Sequence, residues 1–169
     1  MHPLKLFDLH CDTASLLFDR KQSLAANDLH IDLDKANSFD TYIQTMAVWS
    51  NYRLSDEAAW ERFWDIRENL LAQLDAYRIP LIKNSGDLSK AAENKRGAIL
   101  AVEDARLLAG HPERLDILHD CGVRFLTLTW SGETCIGGAH NTNSGLTVFG
   151  RAMAEEALER GMILDISHA

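Results

Sequence analysis

The stretch Lys95-Arg96-Gly97-Ala98-Ile99-Leu100-Ala101-Val102-Glu103 contains a unit that occurs twice more along the chain, at 120–130 and 159–168. In each copy a glycine ends a polar segment and precedes a mostly apolar run. Gly97, Gly122 and Gly161 are typical of the left-handed residue that ends a helix, and the apolar runs are typical of strands buried on both faces. The unit therefore predicts helices that alternate with parallel strands, an α/β fold.

The remaining segments fit the same alternation. Pro112–Cys121 and Phe149–Arg160 are predicted to be the helices that end at the second and third glycines. Upstream, Leu4–Leu9 and Thr41–Trp49 are predicted strands. A long helix with an apolar stripe is predicted after its capping residue, Ser55.

Composition narrows the functional classes. The chain has 169 residues, 46% of them hydrophobic, a formal net charge of −8 at pH 7 and a sequence pI near 5.3. Such an acidic chain has no long basic face for nucleic acid, so a small-molecule or protein partner is expected.

No segment resembles a signal peptide or a membrane span, and the three cysteines form no C-x-x-C pair, so a cytoplasmic location is expected. A single domain over residues 1–169 is expected.

Two metal-binding side chains follow the first predicted strand. Alternate side chains of a strand share a face, so His10 and Asp12 are expected to point the same way, while Cys11 between them points into the core. An imidazole and a carboxylate together suit zinc or a similar divalent ion. The alternative is an aspartate that only fixes the tautomer of a neighbouring histidine.

Two of the repeated units also end in a ligand-type residue. Glu103 lies six residues after Gly97, and His168 lies seven after Gly161. With His10 and Asp12, they are expected at the C-terminal ends of parallel strands, where α/β barrels place their sites, although any one of them could be an ordinary polar strand end. A carboxylate such as Glu103 can bridge two cations that share a hydroxide and polarise a carbonyl, which predicts metal-assisted hydrolysis of an amide.

Five segments together resemble one known family. They are DLHCDT (8–13), AVEDARLL (101–108), GVRFLTLTWSGE-CIGG (122–138), GLTVFGRAMAE (145–155) and GMILDISHA (161–169). The chain is similar, essentially from end to end, to the membrane (renal) dipeptidase family, peptidase family M19, and more closely to its bacterial cytoplasmic branch. The resemblance implies a parallel (β/α)8 barrel of TIM type, a pair of zinc ions, and hydrolysis of dipeptides that often tolerates a D-residue at the C-terminal position.

The resemblance also implies roles for the four ligand-type residues. His10 and Asp12 match the pair on one metal, Glu103 matches the carboxylate that bridges both metals, and His168 matches a ligand of the second metal. The expected cofactor is therefore Zn²⁺, two ions per complete site, and the expected partner is a dipeptide substrate. The family's habit of dimerising makes a homodimer a further expectation.

The chain also departs from the family pattern. In the family a further histidine ligand, the acid that handles the proton at the scissile amide, and a substrate-binding arginine lie on later strands. This chain stops at Ala169, so it is expected to carry about the first five barrel strands. Weak or no catalysis is therefore expected, and no residue is assigned as the catalytic acid. Trp130 stands where the animal enzymes have a histidine and is expected to line the substrate pocket. Asn141, in the polar loop 131–147, is expected to contact substrate.

Two alternatives remain open from the sequence. One is a non-catalytic half-barrel that binds metal or associates with itself, because an open parallel sheet exposes its edge strands. The other is a different metal hydrolase of the amidohydrolase type, such as a deacetylase or lactonase. Those barrels usually open with H-x-H and use a modified lysine as the bridge, whereas this chain has H-x-D and Glu103.

Overall fold

A computed structural model describes residues 4–169 as five strands with helices between them. The strands are β1 (Lys5–Cys11), β2 (Thr41–Trp49), β3 (Arg96–Glu103), β4 (Val123–Thr127) and β5 (Ile163–Asp165). The helices are α1 (Thr13–Arg20), α2 (Leu33–Ala36), α3 (Asp56–Ala76), α4 (Ser85–Asn94), α5 (Glu113–Asp120) and α6 (Val148–Glu159), with a 3₁₀ turn at Ala105–Leu108.

The strands follow one another in the sheet in their sequence order, β1-β2-β3-β4-β5. β1 pairs with β2 in parallel, with Lys5 opposite Thr41, and β4 pairs with β5 in parallel, with Phe125 opposite Ile163. Successive parallel strands joined through helices are the βα units of a TIM-type barrel. The predicted α/β class, with five parallel strands of such a barrel, is confirmed.

The chain divides into two compact units. The first contains the described residues up to Val48 together with Trp64–Leu100, and the second contains Trp49–Phe63 and Ala101–Ala169. In the first unit β2 is buried along nearly its whole length, as the apolar pattern predicted. Its largest fully buried side chains are Leu17, Leu24, Ile66, Leu70 and Leu100.

The second unit has its own apolar interior. There α5 packs against β4, and α6 packs against β5. Its largest fully buried side chains are Phe63, Leu107, Leu108, Leu115, Leu118, Leu126 and Ile136. This unit carries the end of β3, whose last residue is the predicted metal ligand Glu103, and the end of β5, beyond which the predicted ligand His168 lies.

The three repeated glycines do not share one role. Gly122 (φ 111°) and Gly161 (φ 73°) have left-handed backbones, as predicted. The prediction for Gly97 is wrong, because the left-handed residue that ends α4 is Lys95, with φ 64°. Gly97 lies inside β3, where a Cβ atom would come within 2.7 Å of the Cβ atom of Ala91. Close packing of a helix residue against the strand, and not backbone torsion, requires this glycine.

The last two strands are shorter than the sequence predicts. β4 ends at Thr127, although the apolar pattern continues to Trp130, and β5 ends at Asp165, although the pattern continues to His168. The carboxylate of Asp165 accepts a hydrogen bond from the backbone N–H of Ser167 at 2.9 Å, which turns the chain. His168 therefore lies in a turn beyond the strand end.

From Leu4 onward, no helix combines the length and the apolarity needed to cross a bilayer.

A buried aspartate caps α2 and predicts a pH effect. Asp32 is 3% exposed and accepts hydrogen bonds from the backbone N–H of Lys35 (2.7 Å), from Lys35 Nζ (2.6 Å) and from the backbone N–H of Asn27 (3.1 Å). Burial alone would raise the pKa of this carboxyl group, but these hydrogen bonds outweigh burial and hold the pKa below its usual value. A lowered pKa in the folded state contributes stability that is present above about pH 4 and is lost as the pH falls through the folded pKa.

We therefore expect Asp32→Asn to lower the free energy of unfolding by about 1–2 kcal/mol at pH 7, because charge-assisted hydrogen bonds are lost. At pH 3 the difference in the free energy of unfolding between the variant and the parent protein should be smaller. Urea unfolding of both proteins at pH 7 and pH 3 measures this difference. An equal difference at the two pH values would show that the charge of Asp32 does not contribute to stability.

Candidate metal centre

The first pair of predicted ligands lies at the end of β1. His10 is in the strand and Asp12 follows it, directly before the first residue of α1. The Nε2 atom of His10 is 3.7 Å from Oδ1 of Asp12, and the two side chains are 40% and 53% exposed. Cys11 between them is buried and donates a hydrogen bond to the sulfur of Met46, as predicted for the opposite face of the strand. Burial raises the pKa of the Cys11 thiol to about 11, so it stays protonated and is a poor metal ligand.

The second pair lies in the other unit. Glu103 is the last residue of β3 and is 5% exposed. Its Oε1 atom is 3.2 Å from Nε2 of His168, 65 residues further along the chain. A buried carboxylate is costly unless it is paired with a hydrogen-bond donor or a cation. The structure thus brings Glu103 together with His168, and His10 together with Asp12.

The residue after Glu103 has an unusual backbone. Asp104 has φ 80° and ψ 97°, and it is 3% exposed. A non-glycine residue in this region is strained and is retained where the surroundings hold it. Burial raises the pKa of the Asp104 carboxyl group to about 6, although the nearby Arg106 opposes this shift. The side chain accepts a hydrogen bond from the backbone N–H of Arg106 at 3.1 Å, which starts the 3₁₀ turn and ends β3 at Glu103.

Sequence reasoning did not identify Arg106, which is almost fully buried. Its guanidinium donates hydrogen bonds to the backbone carbonyls of Asn51 (3.1 Å), Tyr52 (3.0 Å) and Leu54 (2.9 Å). These bonds join the segment after β3 to the segment after β2. An arginine two residues after an aspartate is too common a pattern to have predicted this role.

Trp130 lies against His168. The centroids of their rings are 6.0 Å apart. Trp130 also stacks on Tyr52 (centroids 5.9 Å apart, planes at 23°) and meets Trp49 edge-on (centroids 5.3 Å apart, planes at 62°). Three aromatic rings therefore form an apolar wall beside one of the predicted metal ligands. That Trp130 lines a substrate pocket stays a prediction.

The polar loop 131–147 is held by its own hydrogen bonds. The side chain of Asn141 accepts from the backbone N–H of Gly132 (2.8 Å) and donates to Oγ of Ser131 (3.0 Å). The backbone N–H of His140 donates to the carbonyl of His168 at 2.8 Å, and the rings of the two histidines are 6.0 Å apart. Asn141 thus shapes the loop, and its contact with substrate stays a prediction.

Comparison with known proteins gives one family over the whole chain. The family model of membrane dipeptidases, peptidase family M19, matches residues 1–169. An uncharacterized dipeptidase of Schizosaccharomyces pombe is 33% identical over 79 residues, which are 44% of this chain and 19% of that protein. The chain therefore matches less than a quarter of the length of this curated relative.

Solved structures agree with the chain in fold. A dipeptidase described as a metallo peptidase of family M19 superposes with a TM-score of 0.84 at 22% identity, over 99% of this chain and 58% of its own. A metallo peptidase from Rhodobacter sphaeroides, liganded with a phosphinate mimic of the dipeptide L-Ala-D-Ala, gives a TM-score of 0.85 at 21% identity, over 98% of this chain and 59% of its own. The chain spans less than two thirds of each of these proteins.

Proposed function

The chain belongs to the membrane dipeptidase family, peptidase family M19, and on this basis we propose that it takes part in zinc-dependent hydrolysis of dipeptides. The observation that carries the proposal is the buried carboxylate of Glu103, which faces the imidazole of His168 at 3.2 Å at the end of a parallel strand. Carboxyl ends of barrel strands are where enzymes of this fold place their catalytic groups.

In the proposed site His10 and Asp12 would hold one zinc ion, His168 would hold the other, and Glu103 would be a ligand of both. Two imidazoles and two carboxylates are a donor set that suits zinc. When bound, a metal pair of this kind lowers the pKa of a water molecule and polarises the peptide carbonyl. The protein's own contributions would be to hold these donors in place and to limit the access of water with the aromatic wall that contains Trp130.

The proposed substrate is a dipeptide. The Rhodobacter sphaeroides relative binds a phosphinate mimic of L-Ala-D-Ala, so L-Ala-D-Ala is the substrate we would test first. We assign no residue of this chain to protonation of the leaving amine. A cytoplasmic location and a homodimer remain part of the proposal, and the net charge of −8 supports a partner other than nucleic acid.

Metal content tests the proposal directly. Protein purified without chelators should contain about two zinc ions per chain, measured by elemental mass spectrometry. Hydrolysis of L-Ala-D-Ala, followed by release of free alanine, should stop when a chelator removes the metal and return when zinc is added. Failure to bind zinc even from an excess would refute the proposal, whereas zinc binding without hydrolysis would favour the non-catalytic alternative.

A further inference from the structure

His168 lies outside regular secondary structure. β5 ends three residues earlier, at Asp165, and the side chain of His168 still reaches Oε1 of Glu103 at 3.2 Å. A residue in a turn has no strand ladder to hold its backbone, so other contacts must set the direction of its side chain.

The carboxylate of Asp165 organises this turn. Its Oδ1 atom accepts hydrogen bonds from the backbone N–H of Ser167, at 2.9 Å, and from the hydroxyl of Ser167. Its Oδ2 atom accepts a hydrogen bond from the hydroxyl of Thr127, in β4, at 2.7 Å. One side chain thus joins the residue before His168 to the neighbouring strand.

Backbone hydrogen bonds hold the same turn on both sides. The N–H of Leu128 donates to the carbonyl of Asp165 at 3.1 Å, and the N–H of His140 donates to the carbonyl of His168 at 2.8 Å. These two bonds restrict the backbone conformation around His168, and both are made by backbone groups. The carboxylate of Asp165 adds hydrogen bonds that are made by a side chain of the same turn.

An aspartate suits this place better than an asparagine. Three groups that face it are able to donate: the hydroxyl of Thr127, and the N–H and hydroxyl of Ser167. An ionised carboxylate only accepts hydrogen bonds, whereas an amide would turn an NH₂ group toward one of these donors. A hydroxyl can rotate to accept, so an asparagine would keep part of the arrangement.

We propose that Asp165 is a positioning residue that directs the imidazole of His168 toward Glu103 and thereby sets the metal affinity of this pair. The inference rests on the proposed function, because it assumes that the pair binds zinc. Partners outside the ligand set commonly change metal affinity by about 10- to 100-fold when they are removed.

The test compares zinc affinity among variants of the whole protein. Competition with a chromophoric chelator should show Asp165→Ala weakening one of two zinc sites by about 10- to 100-fold, and Asp165→Asn weakening it less. Asp116→Ala is the matched control, because the Asp116 carboxylate also accepts a short hydrogen bond, from Nε of Arg160 at 2.6 Å, on the exposed surface of the same unit. The control should bind zinc like the parent protein.

A spectroscopic measurement separates positioning from general stability. With Co²⁺ in place of zinc, Asp165→Ala should change the visible absorption bands, which report ligand geometry, while Asp116→Ala should leave them unchanged. If Asp165→Ala does not fold, Thr127→Val serves in its place. This variant removes only the hydroxyl that donates a hydrogen bond to Asp165, and it should weaken zinc binding several-fold.

The outcomes distinguish the two proposals. If the parent protein binds no zinc, both the proposed function and this inference are refuted. A parent protein that binds zinc, with folded Asp165→Ala or Thr127→Val variants of unchanged zinc affinity and Co²⁺ spectrum, overturns the positioning role alone.

Discussion

Replacing Glu103 with glutamine should remove at least half of the bound zinc and, with it, the dipeptide hydrolysis of the parent protein. Glutamine has nearly the same shape as glutamate, but it is neutral and offers one acceptor oxygen in place of two. Glu103 is 5% exposed, and its Oε1 atom is 3.2 Å from Nε2 of His168. Because the site is buried, solvent cannot easily compensate for the loss of the carboxylate charge. Elemental mass spectrometry and release of alanine from L-Ala-D-Ala measure the two effects.

The matched control for this variant is Glu113→Gln. Oε1 of Glu113 is also 3.2 Å from a histidine nitrogen, Nδ1 of His111, but its side chain is 65% exposed. We expect this control to keep the zinc content and activity of the parent protein. In the presence of a chelator, Glu103→Gln should unfold at close to the same temperature as the parent protein, because glutamine keeps the shape of the side chain and its amide oxygen can still accept a hydrogen bond from His168. Full zinc content in Glu103→Gln would remove Glu103 from the ligand set.

Replacing Gly150 with alanine should lower the free energy of unfolding by about 3 kcal/mol or more. A Cβ atom at this position of α6 would lie 1.8 Å from the carbonyl oxygen of Ile136 and 2.6 Å from its carbonyl carbon. These are backbone atoms of a fully buried residue, so no side-chain rotation relieves the overlap. The same carbonyl accepts a hydrogen bond from the N–H of Thr147, the residue that caps α6, at 2.9 Å. Displacement of Ile136 would therefore also disturb the start of the helix.

Gly145→Ala is the comparison for Gly150→Ala. Among the described residues, no atom outside Gly145 and its two chain neighbours lies within 4 Å of the place where a Cβ atom at Gly145 would stand. This variant should unfold within about 0.5 kcal/mol of the parent protein. Urea denaturation followed by circular dichroism compares all three proteins. Equal stability of the two glycine variants would show that α6 can move away from Ile136 at little cost.

Much of the fold could be predicted because its signals are local. β2 has the predicted bounds, Thr41–Trp49, since a continuous apolar run marks a strand covered on both faces. The long helix α3 begins at Asp56, after the predicted cap, and Oγ of Ser55 accepts a hydrogen bond from the N–H of Ala58 at 3.2 Å. Each of these signals depends on residues a few positions apart.

The errors arose where distant residues meet. Gly97 has the sequence context of Gly122 and Gly161, yet its role depends on Ala91 and Ile82, which approach it only in the folded chain. The apolar pattern after Gly161 continues to His168, but the strand ends at Asp165, whose carboxylate accepts a hydrogen bond from the distant Thr127 as well as from the nearby Ser167. Hydropathy carries no information about either contact.

The sequence by itself determined the α/β class, the alternation of helices with parallel strands and the residue types of the proposed metal centre. Periodicity and chemical type are properties of neighbouring residues, and they are readable before the chain folds. Only the tertiary structure decided that Glu103 faces His168 and that the guanidinium of Arg106 donates hydrogen bonds to three backbone carbonyls. It also decided that no side chain larger than that of glycine fits at Gly150. These features depend on close packing and hydrogen bonding between residues far apart in the chain, which leave no periodic trace in the sequence.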